Sequence, residues 1–293
     1  MSVVETVIIG NPSSGRGGKQ AVLKRCAEIL SEEGAEVEIW PTERPEHATE
    51  LATLAEGARL VVAAGGDGTV NEVINGLPKD AALGILPFGT ANVLARELGL
   101  PRNPHHAARR ILHGETRRID LGVAINQRGE ERRFACMAGM GFDADVVRTV
   151  TPRLKRYLRL LAFPLMAFKG YFEKELPTVH VIVDDEVHKV QFAIVANGQY
   201  YGGDFRMARR PDSLTSGELE AILVERVSVL LRPDILARFL AREPLGRFQK
   251  SLSAHEVYAR APGAEVPVQL DGEVCGRLPM SFRVEPDALQ IIC

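Results

Sequence analysis

Leu60-Val61-Val62-Ala63-Ala64-Gly65-Gly66-Asp67-Gly68-Thr69-Val70-Asn71-Glu72-Val73-Ile74-Asn75-Gly76-Leu77 is the stretch on which the reading of the fold turns. An apolar, β-rich run predicts a buried strand over Leu60–Ala64, and the spacing from Thr69 to Leu77 predicts a helix. Three glycines lie within the four residues Gly65–Gly68 that join them. Glycine admits positive φ and lets a backbone approach a ligand closely. The N-terminus of the following helix adds outward N–H groups and a positive partial charge, so phosphate is the expected guest. Asp67 does not suit a bare phosphate, because like charges repel. It either meets the phosphate through a bridging Mg²⁺ or caps a nearby helix N–H. The spacing of a Walker loop fails here, as Arg16-Gly17 follows Gly15 where Lys and Ser/Thr are needed. A dinucleotide fingerprint fails too, because Asn71 stands at its third glycine.

Outward from this stretch, strand and helix patterns alternate. Strands are expected at Thr6–Ile9, Val37–Trp40 and Leu83–Leu86, and helices at Lys19–Glu33, His47–Ala55 and Thr90–Leu98. That alternation predicts a parallel sheet wrapped by helices. Beyond residue 116 the texture changes to short alternating runs, among them Ile119–Ile125, Arg133–Met137, Thr178–Val183, Val190–Val195, Leu219–Val224, Val257–Ala259 and Val266–Leu270. These predict an antiparallel sheet or sandwich, interrupted by a helical insertion near Pro152–Phe172 and a helix at Pro233–Ala241. The fold class is therefore α/β plus all-β, in two domains, 1–124 and 125–293.

Composition narrows the functions. The 293 residues carry a net charge of −2 and 6% aromatics, which argues against a nucleic-acid partner. Four cysteines without a Cys-x-x-Cys pair predict neither a disulfide framework nor a zinc cluster. The longest apolar run, Leu160–Phe168, is nine residues, too short to span a bilayer, and no secretory leader is expected. A reducing, cytoplasmic setting follows as an expectation. Thr151–Gly170 stands out, with Arg153, Lys155, Arg156, Arg159 and Lys169 and no acid among many apolar residues. A basic apolar helix suits an anionic membrane surface at roughly 1 kcal/mol per cation, so peripheral membrane contact is expected there. A buried helix or a homodimer interface is the alternative use of that segment.

The run Gly65–Leu77 resembles the signature of the diacylglycerol and sphingosine kinase superfamily, in its soluble bacterial form. Asn11-Pro12-Ser13-Ser14-Gly15, Thr42, Leu86-Pro87-Phe88-Gly89-Thr90-Ala91-Asn92 and Leu270-Asp271-Gly272-Glu273 are similar to further blocks of that family, in the same order. The resemblance implies a nucleotide-binding α/β domain followed by a β-sandwich that meets the lipid and carries the catalytic base. It implies ATP and Mg²⁺ as cofactors and a lipid as substrate. By position, Asn11, Ser14 and Gly15 help hold the nucleotide and Thr42 lies near its adenosine end. Gly66, Gly68 and Thr69 cradle phosphate, Thr90 closes the site, and Asp67, Asn71 and Glu72 belong to the same cofactor-binding set. Asp67 would also touch the ATP-bound Mg²⁺. Asp271 is the implied general base on the lipid hydroxyl, with Glu273 a second carboxylate. Read alone, Leu270–Glu273 is equally an Asp-Gly hairpin turn.

The family often binds a structural Mg²⁺ through an acidic residue that here is Ser216, with Glu218 or Asp212 as compensating ligands. Asn197-Gly198-Gln199-Tyr200-Tyr201-Gly202-Gly203 is a further glycine-bearing block, either a route for lipid approach or a plain loop. The expected reaction is phosphoryl transfer from ATP to a lipid hydroxyl, with diacylglycerol to phosphatidic acid in front. Sphingoid bases or phosphatidylglycerol are alternative acceptors, and an NAD kinase is a more distant alternative.

Overall fold

The computed structural model of the chain describes residues 5–10, 19–141, 177–202, 205–210, 212–228, 232–241, 246 and 249–293. The expected insertion near Pro152–Phe172 lies outside them, as do the membrane segment Thr151–Gly170 and the nucleotide residues Asn11, Ser14 and Gly15. The chain divides into two compact units. One comprises residues 1–119 together with 287–293, the other residues 120–286. By its contacts the first unit thus closes a few residues before position 124 and takes back the C-terminal residues. Nothing in the local sequence pattern announces that return.

In the first unit, β1 (Thr6–Gly10), β2 (Val37–Pro41), β3 (Leu60–Gly65) and β4 (Ala82–Pro87) are parallel in the order β2-β1-β3-β4. Their registers align Gly10 with both Pro41 and Ala64, and Gly65 with Pro87. All four strands therefore end along one edge. The strands are buried almost throughout, β2 excepted, as a sheet covered on both faces requires. Helices α1 (Lys19–Leu30), α2 (His47–Leu54), α3 (Asp67–Gly76) and α4 (Val93–Glu97) follow the strands in turn.

A further helix, α5 (Pro104–His113), lies outside the elements expected from sequence. Asn103 caps it by accepting the N–H groups of His105 and His106, and Pro104 opens its first turn. Its buried residues Ala107, Ala108 and Ile111 join Leu23, Cys26, Ile29, Ile8 and Val62 in one core. The last strand reaches this unit as well, Ile291 pairing with Leu83 in parallel. The terminal Cys293 exchanges two backbone hydrogen bonds with Glu115, 3.3 and 3.1 Å long.

The second unit is antiparallel. One ladder holds β8 (Val179–Val183), β9 (Glu186–Val190), β15 (Glu256–Arg260) and the start of β18 (Met280–Ile292). A six-stranded sheet runs β14 (Lys250–Ala254), β13 (Leu219–Val224), β10 (Phe192–Ala196), β7 (Met137–Gly141), β16 (Pro267–Leu270) and β17 (Glu273–Arg277). Inward residues of both form one core, with Val181, Val257 and Phe282 from the first and Val195, Leu219, Met140 and Val268 from the second. The expected β-sandwich is therefore present. Gly122, on β5 (Thr116–Asn126), lies so close under the Phe134 ring that a methyl group would overlap it. That ring in turn meets Phe282 edge-on, with centroids 6.4 Å apart.

The segment expected as one strand over Arg133–Met137 is two. β6 (Glu131–Phe134) ends, Ala135 and Cys136 leave the ladder, and β7 begins. Short strands at β11 (Tyr200–Tyr201) and β12 (Phe205–Arg206), the 3₁₀ turn at Ser213–Thr215 and α6 (Pro233–Leu240) complete the described elements.

Candidate functional site

At the common strand edge of the first unit, the loops after β3 and β4 touch backbone to backbone. A Cβ added to Gly66 would lie 3.3 Å from the Gly89 Cα, and one added to Gly89 would strike both the Gly66 Cα and the Asn92 Oδ1. Gly89 therefore has no room for a side chain, while a methyl at Gly66 would need its neighbour to give by a few tenths of an ångström. Gly65 is fixed by a different neighbour, since a Cβ there would collide with the Thr69 side chain. Backbone bonds tie the loops together, with the N–H groups of Phe88 and Gly89 donating to the Gly65 carbonyl at 2.9 and 3.1 Å. Thr42, just past β2, donates its N–H to the Gly10 carbonyl at 3.0 Å, so it sits at the same edge. Lys19 Nζ lies 3.5 Å from the Phe88 carbonyl. Thr90 is exposed on the loop between β4 and α4.

α3 starts at Asp67, two residues before the expected Thr69, which brings the whole of Asp67-Gly68-Thr69 into its first turn. N–H groups of a first helical turn have no partner within the helix and face an anion. Asp67 itself turns to another helix. Its carboxylate accepts the N–H of Asn92 at 3.0 Å and that of Val93, so it caps α4. Each oxygen keeps acceptor capacity, so this capping and contact with an ATP-bound Mg²⁺ are compatible.

Glu72 and Asn71, further along the signature, spend their side chains on the scaffold. Glu72 Oε2 accepts the N–H of Ala48 at 3.0 Å, and its carbonyl accepts the Thr49 hydroxyl at 2.9 Å. It therefore caps the first turn of α2. Asn71 is buried and takes the Asn75 amide on both its carbonyl and its side-chain oxygen. Through these bonds the two residues tie α3 to α2 and to its own next turn.

In the second unit, Asp271 and Gly272 are the two-residue loop between β16 and β17, with φ of 49° and 92°. Positive φ at both positions is what a type I′ hairpin demands. The hairpin reading and the site reading thus describe the same residues. The Asp271 carboxylate accepts three consecutive N–H groups: Ala135 at 2.8 Å on Oδ2, and Cys136 and Met137 at 2.9 and 3.0 Å on Oδ1. Its own N–H donates to the Met137 carbonyl at 2.9 Å. The break between β6 and β7 is what frees those three donors. Glu273 begins β17 with its side chain about half exposed and its Oε2 3.7 Å from Arg132.

The loop at Asp212–Glu218 does not fit a carboxylate-held Mg²⁺. Glu218, expected as a metal ligand, is paired with the Arg210 guanidinium. The Ser216 hydroxyl lies 3.2 and 3.0 Å from the carbonyls of Ser213 and Glu218. Buried Asp120 accepts the Gly217 N–H at 2.7 Å. Protein hydrogen bonds close this loop, and no cluster of three or more His, Cys, Asp or Glu suited to a metal occurs among the described residues.

Asn197, which the sequence offers only as the first residue of a glycine-bearing block, is fully buried behind Asp271's donors. An asparagine directly after the apolar run Phe192–Ala196 was the available signal.

Comparison with known proteins gives the family and the fold. Residues 5–124 match the diacylglycerol kinase catalytic domain, and residues 136–293 match the YegS C-terminal NAD kinase beta sandwich-like domain. A diacylglycerol kinase of Bacillus subtilis is 31% identical over 292 residues, covering 94% of this chain and 91% of the relative. One of Mycobacterium tuberculosis is 31% identical, covering 96% and 93%. Among solved structures, a putative diacylglycerol kinase from Bacillus anthracis superposes with a TM-score of 0.79 at 22% identity, over 99% of this chain and 97% of that one. An NAD kinase from Archaeoglobus fulgidus in complex with ATP shares the fold more distantly, with a TM-score of 0.55 at 13% identity over 98% and 92%.

Proposed function

The chain belongs to the diacylglycerol kinase family of lipid kinases, and we propose that it transfers the γ-phosphoryl group of ATP to the hydroxyl of diacylglycerol, giving phosphatidic acid. The observation that supports this reading is the close backbone contact of Gly66 and Gly89 at the strand edge beside the first turn of α3, where Gly89 has no room for a methyl group. In the proposed reaction, the first turn of α3 and the Gly66–Thr69 backbone hold the phosphates, while Thr42 and Thr90 bound the nucleotide. Asn11, Ser14 and Gly15 contribute from the residues that follow β1 in sequence. Mg²⁺ accompanying ATP would offset phosphate charge beside Asp67. Asp271 accepts the proton of the lipid hydroxyl as the phosphoryl group transfers. Its three N–H donors hold the carboxylate in one orientation. Glu273 lies two residues on as a second acidic group.

No helix among the described residues is long and apolar enough to cross a membrane. We assign the enzyme to the cytoplasm with peripheral membrane contact through Thr151–Gly170, whose five cations and interleaved apolar residues support that reading.

The deciding experiment incubates the protein with Mg²⁺-ATP and diacylglycerol in mixed micelles, and in parallel with a total lipid extract, followed by mass spectrometry. Phosphatidic acid formation that disappears in Asp271→Asn is the expected result. Phosphate gain on a sphingoid base or phosphatidylglycerol alone would move the substrate. Phosphorylation of NAD with none of any lipid would overturn the reading.

A further inference from the structure

We infer that Asn197 is a positioning residue for Asp271, acting through the two peptide groups that connect Ala135, Cys136 and Met137. This rests on the reading of Asp271 as the proton acceptor. The Asn197 side-chain Nδ2 donates to the Ala135 carbonyl at 2.7 Å and to the Asp120 carbonyl at 2.9 Å. Its backbone N–H, and that of Gly198, donate to the Cys136 carbonyl at 2.8 and 2.9 Å.

The Ala135 carbonyl and the Cys136 N–H belong to one planar peptide group, and the Cys136 carbonyl and the Met137 N–H belong to the next. Asn197 grips the oxygen of each group. The nitrogen of each donates to Asp271 Oδ1. Because a peptide plane resists twisting, fixing its oxygen aims its N–H. The same bonds polarise the peptides, which strengthens donation at the far end. The residue is fully buried, and its Oδ1 has no hydrogen-bond partner among the described residues. An amide held in a core by its donor end alone marks that end as the working one. Aspartate of the same shape would set an oxygen against two carbonyl oxygens, and leucine would leave both carbonyls without the amide.

The test is Asn197→Ala, which removes the bonds to the Ala135 and Asp120 carbonyls and leaves the backbone bonds to the Cys136 carbonyl in place, with turnover, KM for ATP and thermal melting measured beside wild type. The expected result is a folded protein whose kcat falls by roughly 10- to 100-fold, the scale of a misplaced catalytic group, while KM for ATP is unchanged. In an Asp271→Asn background, Asn197→Ala should lower the melting temperature by less than it does in wild type, since the two side chains are coupled through the Ala135–Cys136 peptide. A folded Asn197→Ala with wild-type kcat overturns the inference, and so does an equal loss of melting temperature in both backgrounds, which marks a general structural role. If Asp271→Asn keeps wild-type turnover, the proton-acceptor reading fails instead. Should Asn197→Ala not fold, amide hydrogen exchange on the wild-type protein decides. The Cys136 amide should exchange as slowly as those of β7, and exchange at loop rates overturns the clamp.

Discussion

Asp67 and Val93 are joined across 26 positions of sequence, the carboxylate of one capping the helix that the other begins. Through this bond and its companion to Asn92, the loop after β3 fixes the course of the loop after β4. An aspartate in a glycine loop thereby becomes a strut between the two segments proposed to hold phosphate. Replacing it by asparagine puts an amide N–H against one of the backbone donors. Asp67→Asn should lose about 1 kcal/mol of stability, the usual cost of a lost cap, and weaken ATP binding. Thermal melts with and without ATP check both, and an unchanged Tm together with an unchanged ATP-induced rise would leave Asp67 with neither role.

Glu72 makes the opposite prediction. Its carboxylate serves the N-terminus of α2, so Glu72→Ala should destabilise the fold by about 1 kcal/mol and leave the KM for ATP unaltered. Glu72→Gln keeps an acceptor for the Ala48 N–H and should cost less. Calorimetric titration with ATP discriminates, because a large drop in affinity would return Glu72 to the nucleotide site.

Gly89 has no room for a side chain. Gly89→Ala must push the Gly66 loop or the Asn92 side chain aside, an overpacking that costs roughly 1–3 kcal/mol. The larger loss should be in ATP binding, since the displaced atoms form the cradle. Gly129→Ala, at a hairpin loop with nothing within 4 Å but a positive φ, should cost stability alone. Equal ATP affinity in both variants would contradict the cradle.

Cys26 supplies a pH test of the first unit's core. Burial pushes its thiol up from 9.0 to about 11. An unfolded chain loses that proton near pH 9 while the folded chain keeps it, so the unfolded state binds fewer protons between pH 9 and 11. Stability therefore falls as pH rises through that window, by at most about 1.4 kcal/mol per unit from this group. Urea melts from about pH 8 to about pH 11 should show a shallower decline in Cys26→Ala than in wild type. The buried thiol should also resist alkylation at mildly alkaline pH until the chain is unfolded.

The strand ends and glycine loops were legible because they are written locally. Gly65–Thr69 declares a tight strand-to-helix turn in its own residues, and Asp271-Gly272 declares a hairpin. What those residues bond to was not legible. Asp67 finds Val93, Glu72 finds Ala48 and Asp271 finds Ala135–Met137, and none of these pairings leaves a periodic trace. α5 escaped notice although Asn103-Pro104 and the spacing of Ala107, Ala108 and Ile111 mark it. Its arginines and histidines obscured that apolar stripe. The long β18 escaped as well, although Met280, Phe282 and Val284 alternate as a strand should, because Pro286-Asp287 interrupts the run, Asp287 with a φ of 50°.

The return of residues 287–293 to the first unit has a consequence for truncation. Residues 120–286 are contiguous, whereas the first unit is assembled from two distant stretches of chain. Its sheet continues past β4 into the last strand, whose Ile291 pairs with Leu83 and whose Cys293 bonds Glu115. A chain cut before residue 287 would therefore leave β4 with an open edge, a template for stray strand pairing, although the cut removes only seven residues.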